Sequence, residues 1–285
     1  MWIFGFFFLD SHALLLPVVT ANLMRKKIIF ALTASLTKSA KAKRDTLANV
    51  LVHSEAINYK LSTRIIIYSP NHIKEWNLEK HRNKISIAHE HFLDFDKFKI
   101  KKKFDARKNL VGYIGRLSEE KGVLNFVKAI PDILEKTDKI DFLIGGDGAL
   151  HNKIKEYLTE KDLNDRVKLV GWIPHDKLPD YLNELNLVVL PSYTEGLPNI
   201  MLEAMACGTP VLATPVGAIP DVIKDGETGF IMENNSPECI AENIVRALAH
   251  PNINEIIKNA RALIEENYNY QDAVDRYRII LSSTF

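Results

Sequence analysis

From Asn109 to the end, the chain alternates short unbroken apolar runs with longer amphipathic stretches. The apolar runs are Leu110–Ile114, Phe142–Ile144, Val167–Val170, Leu187–Leu190, Pro210–Ala213 and Gly229–Met232, and they read as strands. The stretches between them, Val123–Glu135, Leu150–Lys161, Leu178–Glu184, Ile200–Ala206, Ile219–Ile223 and Pro237–His250, carry helical spacing, as do Ile253–Asn267 and Ala273–Leu281 near the end. Unbroken apolar strands separated by helices predict a parallel sheet covered on both faces. Such sheets take ligands beyond the carboxyl ends of their strands, so candidate chemistry is sought in the loops that follow strands.

The first hundred residues carry a weaker version of the pattern. Met1–Met24 is strongly apolar with Asp10 its only charge. No basic residue precedes the apolar region, which argues against a signal peptide, and Asp10, His12 and Pro17 interrupt a membrane span. The reading adopted is a strand, Trp2–Leu9, a turn at Asp10-Ser11, and a helix ending near Met24; membrane association is the alternative. Ile28–Leu32, Ile65–Tyr68 and Lys84–Ala88 read as further strands, Val50–Leu61 and Asn71–Lys80 as helices, and Lys38–Asn49 as a basic connection.

Charge divides the chain. Residues 1–108 hold 20 Lys+Arg against 9 Asp+Glu, a net +11, whereas residues 109–285 hold 17 against 27, a net −10. A solvated surface accounts for such an excess. The functional alternative is a first half that faces anionic lipid or a phosphorylated acceptor. The two cysteines, Cys207 and Cys239, make no metal spacing and read as reduced, core-type residues of a reducing compartment. His89-Glu-His91 offers two ligands without an identifiable third, so a loop role is preferred over a metal site.

Four loops carry candidate chemistry. In Gly115-Arg116-Leu-Ser-Glu-Glu-Lys121-Gly122, the glycine permits a tight exit from the strand. Arg116 offers a fork of donors to phosphate and Lys121 a mobile point charge, although an ordinary turn with surface charges would look alike. Gly145-Gly146-Asp147-Gly148 allows close approach of a ligand or of another backbone. Val170-Gly171-Trp172-Ile173-Pro174 ends the next strand. The fourth loop follows Leu187–Leu190, with Glu195 and Glu203 eight residues apart around Gly196-Leu197-Pro198. Pro198 suits a first helical turn, which puts Glu195 on a strand-to-helix loop and Glu203 about one turn inside the helix. The plain alternative is an acidic residue complementing a helix dipole.

The stretch Glu195-Gly-Leu-Pro…Glu203-Ala-Met-Ala-x-Gly208-x-Pro210-Val211-x-Ala213 resembles the nucleotide-sugar site of glycosyltransferase family 4, a retaining GT-B family. The resemblance is specific from about Asn109 onward and weaker before it. It implies two Rossmann-like α/β domains with parallel sheets, 1–105 on the acceptor side and 106–285 for the donor, with the last helix crossing back to the first. It further implies that Arg116 and Lys121 bind the donor diphosphate, that Glu195 contacts the transferred sugar, and that Glu203 accepts from the ribose. Gly115, Gly146, Gly171, Ile173, Gly196, Leu197 and Pro198 would line the nucleotide-sugar crevice, backbone groups near Gly171 and Ile173 lying against the base. Thr214-Pro-Val-Gly217-Ala-Ile-Pro220-Asp221 would pack the crevice wall. Asp94-Phe-Asp96 looks like a metal-binding carboxylate pair, but Leu93-Asp94-x-x-x-Phe98 resembles the segment that ends the first GT-B domain, so no metal is expected.

The implied activity is metal-independent, retaining transfer of a sugar from a nucleotide-diphospho-sugar to a glycan, lipid or lipid-linked acceptor. The donor is the only small molecule required; no cofactor and no nucleic-acid partner are expected. A cytoplasmic setting follows, at the inner membrane face if the basic half contacts lipid. The first domain reads as shorter than the family's usual one and therefore as incomplete. Thr33-Ala34-Ser35 stands where many members carry a histidine. The competing reading is therefore a non-catalytic or partner-dependent module that binds nucleotide sugars.

Overall fold

The computed structural model describes residues 5–7, 15–32 and 48–284. The turn expected at Asp10-Ser11, residues Thr33-Ala34-Ser35 and most of the basic connection after Lys38 lie outside them. Two compact units are present, one made of residues 1–91 with 271–285 and the other of residues 92–270.

The first unit holds four parallel strands, β1 (Gly5–Phe7), β2 (Ile28–Leu32), β3 (Arg64–Ile67) and β4 (Ile85–Ile87), side by side in chain order. Side chains alternate across a strand, so β2 divides between two cores. Ile28, Phe30 and Leu32 join Ile65, Ile67, Val18, Tyr59 and Trp76 on one face. Ile29 and Ala31 join Ile66 and Ala88 on the other, where Ile280, Tyr277 and Leu281 of the last helix, Tyr270–Thr284, cover them. Burial on both faces explains why β2 is an unbroken apolar run.

One expectation for this unit changes. The helix predicted over Asn71–Lys80 stops at Glu75 and gives way to a 3₁₀ turn at Glu79–Lys84, because Asn77 takes a left-handed conformation at φ 55°. His89 and His91 are ring neighbours 5.7 Å apart. Burial, with the Arg276 guanidinium beside it, holds the His89 pKa down at about 3. Among the described residues no cluster of three or more His, Cys, Asp or Glu could hold a metal ion. Nor is any helix among them long and apolar enough to cross a membrane.

The second unit is built on six parallel strands. Their order is β10-β9-β8-β5-β6-β7, where β5 is Leu110–Ile114, β6 Asp141–Gly145, β7 Val167–Gly171, β8 Leu187–Leu190, β9 Val211–Ala213 and β10 Phe230–Ile231. The chain winds outward from β5 to β7, returns to lay β8 against the other side of β5, and winds out again. Helices Val123–Lys136 and Pro237–Leu248 bury Phe126, Val127, Ile130, Ile240 and Ile244 in one core with Val111, Phe142, Val189 and Leu212.

Residues 92–105, read from sequence as the end of the first domain, belong to this second unit. Phe98 is buried there. Asn183 Oδ1 accepts from the main-chain N–H of Lys101 and Lys102 at 2.7 and 3.2 Å. Asp94 uses its carboxylate to receive the N–H of Asp96 and Lys97 at 3.0 and 3.2 Å, which closes a local turn. Cys207 is buried, and burial pushes its thiol up to about 12. Cys239 is only half-buried, its Sγ donating to Glu233 Oε2 at 3.2 Å.

Candidate functional site

The reversal of winding between β5 and β8 creates a crevice at the carboxyl ends of those strands, the place where open α/β sheets take ligands. The loop after β5 carries Gly115, Arg116 and Lys121; the loop after β8 carries Ser192, Glu195, Gly196, Leu197 and Pro198. Glycines bring the loops to van der Waals distance. Gly122 stands at φ 66°, where a Cβ would lie 2.0 Å from the carbonyl oxygen of Pro191. Gly217, at φ 61°, would place one 2.2 Å from the carbonyl oxygen of Glu195, and Ala218 N–H donates to Gly196 O at 2.8 Å. The Thr214–Asp221 segment therefore backs the Glu195 loop directly.

Glu195 is held from two sides. Lys121 Nζ meets its Oε2 at 2.7 Å and Ser192 Oγ donates to its Oε1 at 2.7 Å, with only 8% of the glutamate side chain exposed. The carboxylate is thus aimed by a cation and a hydroxyl belonging to different loops. Arg116 differs: its side chain is 71% exposed and its nearest charge is Glu120, 3.5 Å away. The Arg116 carbonyl is anchored by the buried Tyr113 hydroxyl at 2.7 Å, so the backbone is fixed and the head group is free to meet a ligand.

Glu203 lies inside the helix Asn199–Ala206 and is buried. Burial raises its carboxyl pKa, a shift opposed by His175 and Lys97. His175 Nε2 lies 2.8 Å from Glu203 Oε1, and His175 Nδ1 lies 2.7 Å from Lys97 Nζ. The helix opens after Pro198, which sits at its cap with φ −73° and ψ 118° and supplies no side-chain cap. Pro198 therefore stands one position before the first helical turn that its chemistry suits, and the helix begins at Asn199. The other end is clamped by two arginines. Arg107 donates to Cys207 O at 2.8 Å, and Arg261 donates to Ala206 O, where helix carbonyls otherwise lack partners.

A sequence profile of the glycosyl transferases group 1 matches residues 94–282. The chain belongs to this family. The capsular polysaccharide biosynthesis glycosyltransferase CapM of Staphylococcus aureus is 28% identical over 239 residues, covering 78% of this chain and 58% of that protein. The UDP-Gal:alpha-D-GlcNAc-diphosphoundecaprenol alpha-1,3-galactosyltransferase of Escherichia coli is 32% identical over 169 residues, 58% of this chain and 43% of the relative. The chain spans about half the length of the curated relatives it matches. The crystal structure of Anabaena Alr3699/HepE in complex with UDP and glucose superposes with a TM-score of 0.79 at 19% identity, over 96% of this chain and 76% of that one. That likeness shows the fold, a GT-B pair of Rossmann-like α/β units.

In this member of the family the structure brings Lys121 and Glu195 into contact. Gly115, Gly146 and Gly171 stand on neighbouring loops. Gly115 N–H donates to Gly145 O at 3.0 Å, Gly146 N–H donates to Gly171 O at 2.6 Å, and a Cβ on Gly146 would lie 1.8 Å from Gly115 O. The side chain of Ile173 packs over Gly145, where an added Cβ would come within 2.5 Å of its Cδ1. Leu197 is buried beneath the loop, and Trp172 points outward, 71% exposed. Sequence reasoning missed His175 and Lys97. The signal available was a histidine two residues beyond Ile173 on a loop already singled out.

Proposed function

We propose that the chain transfers a sugar from a nucleotide-diphospho-sugar to a glycan, lipid or lipid-linked acceptor, with retention at the anomeric carbon and without a metal ion. The observation that carries this reading is the Lys121–Glu195 pair at the β5/β8 crevice, with Arg116 exposed on the same loop as Lys121. Departure of a nucleoside diphosphate leaves negative charge on phosphate and positive charge on the sugar. Arg116, Lys121 and the amides at the start of helix Asn199–Ala206 would stabilise the first. Glu195, as a fixed acceptor, would hold hydroxyls of the transferred sugar. Same-face attack, with the leaving phosphate taking the acceptor proton, would need no nucleophilic side chain. This is the mechanism implied by the resemblance to glycosyltransferase family 4.

The names of the relatives support the substrate classes. One is named for galactosyl transfer from UDP-Gal to a diphosphoundecaprenol-linked sugar, another for capsular polysaccharide synthesis, and the Anabaena protein was crystallised with UDP and glucose. The net +11 of residues 1–108 supports peripheral contact of the first half with anionic lipid; vesicles containing anionic lipid should retain the protein in flotation better than neutral ones, and equal retention would remove that contact from the proposal.

The central test is release of nucleoside diphosphate from UDP-, GDP- and ADP-sugars, with magnesium and with EDTA. We expect turnover of one nucleotide class in EDTA, lowered about 100-fold or more by Glu195→Ala in a protein that remains folded. Turnover only with magnesium would refute metal independence. Donor binding without release, in the presence of a range of acceptors, would favour a module that binds nucleotide sugars without using them.

A further inference from the structure

The Lys121–Glu195 pair and Arg116 leave His175 and Lys97 unused, although both act on the second glutamate. Glu203 is 91% withdrawn from solvent, its side chain being 9% exposed, while His175 is 62% exposed at the surface above it. Lys97 Nζ reaches His175 Nδ1 at 2.7 Å, and His175 Nε2 reaches Glu203 Oε1 at 2.8 Å. A lysine ammonium carries donors only, so Nδ1 must accept. The ring proton of a neutral imidazole then stands on Nε2 and is donated to Glu203. Lysine in this way sets the tautomer of the histidine, and the histidine sets the rotamer of the glutamate. Phe98, buried, holds the ring from the side with centroids 5.3 Å apart. Among the described residues the Glu203 carboxylate has no second hydrogen-bond partner, which leaves Oε2 to receive from a ligand.

We propose that Lys97 and His175 are positioning residues that fix Glu203 as a one-sided acceptor for the ribose hydroxyls of the donor nucleotide. The inference rests on the donor-site reading above and adds to it a specificity element reaching in from outside the Glu195–Glu203 stretch. An unsupported glutamate would have to be ordered and reoriented when the nucleotide arrives. Here its orientation is set before binding, so the hydroxyl contact is made without that cost. Arg116 and Lys121 would grip any nucleoside diphosphate alike; Glu203 with its two supports would distinguish a ribonucleotide from its deoxy counterpart.

The test is calorimetric binding of UDP, GDP and ADP to the whole chain, followed by the 2′-deoxy and 3′-deoxy forms of whichever binds most tightly. The wild-type protein should prefer the ribonucleotide over at least one deoxy form by about tenfold, the worth of one well-made hydrogen bond to a charged group. His175→Ala and Lys97→Met should each narrow that preference, His175→Ala to about twofold or less, while affinity for the deoxy form barely changes. His175→Gln, whose amide can still donate to Glu203, should recover part of the preference. A loss shared equally between ribo and deoxy forms would mark His175 as merely structural and overturn the inference. So would full retention of the preference in both variants. If His175→Ala does not fold, Lys97→Met and His175→Gln carry the same comparison. Failure of the wild-type chain to bind any of the three diphosphates, or binding blind to both hydroxyls, would refute the donor-site reading and this inference with it.

Discussion

The back and the front of the second unit each depend on an arginine, and the two arginines live in opposite surroundings. At the back, Arg107 is 7% exposed. It donates to the carbonyls of Lys102, Leu185 and Cys207 and to the Thr209 hydroxyl at 2.7–3.2 Å. Burial lowers its pKa to about 10, still far above neutrality. At the front, Arg116 is 71% exposed with one loose ionic neighbour. The guanidinium at the back is saturated by its own chain and fixes where helix Asn199–Ala206 ends. The guanidinium at the front, on the loop after β5, has most of its donors available. Donors satisfied internally build the frame, and donors left over are what a ligand can use.

If this contrast is right, Arg107→Ala should have the largest effect on stability. It strands several buried carbonyls, at a cost of about 4 kcal/mol, which corresponds to a fall of roughly 8–16 °C in melting temperature for a unit of this size. A fall under about 2 °C would mean the buried carbonyls find water instead. A smaller effect is expected at Glu203. Burial raises its pKa above the ordinary 4.5, so its contribution to folding is full below that value and is lost as pH rises through the folded pKa. Glu203→Gln does not titrate. The melting temperature of the variant relative to wild type should therefore climb as pH rises above about 4.5, and a flat difference would mean that Glu203 is not desolvated. The smallest effect on stability belongs to Arg116→Ala, within about 0.5 kcal/mol of wild type. The same variant should lose most of the thermal stabilisation given by a nucleoside diphosphate. An Arg116→Ala protein that melted far below wild type would break the distinction between frame and free donor.

Much of the frame could be read from periodicity, because every central strand is buried on two faces and therefore apolar without interruption. Leu110–Ile114, Leu187–Leu190 and Ile28–Leu32 coincide with β5, β8 and β2. The loop residues of the site were legible as types, since glycines after strands and a charged loop opening a helix have few structural reasons to coincide. What could not be read was pairing over distance. Arg107 and Arg261 bond main-chain carbonyls, which leave no trace in side-chain pattern. Lys97 reaches His175 across 78 positions. Lys121 looked like a lone point charge, and only the fold brings it to Glu195, 74 positions away. The segment after residue 91 shows the same kind of long-range anchoring: it is polar and basic, yet its Phe98 is buried and the main-chain N–H groups of Lys101 and Lys102 donate to Asn183.

The unequal environments of the two cysteines have a practical consequence. Cys207 is sealed behind the arginine clamp with its thiol pushed up to about 12, whereas Cys239 stands half-buried at the first turn of helix Pro237–Leu248, its thiol raised more modestly by burial and by Glu233. Maleimide chemistry consumes thiolate, so at neutral pH the native chain should label slowly and at one position. A fluorophore could then be mounted on the second unit without removing any residue, with mildly alkaline coupling as the control over yield.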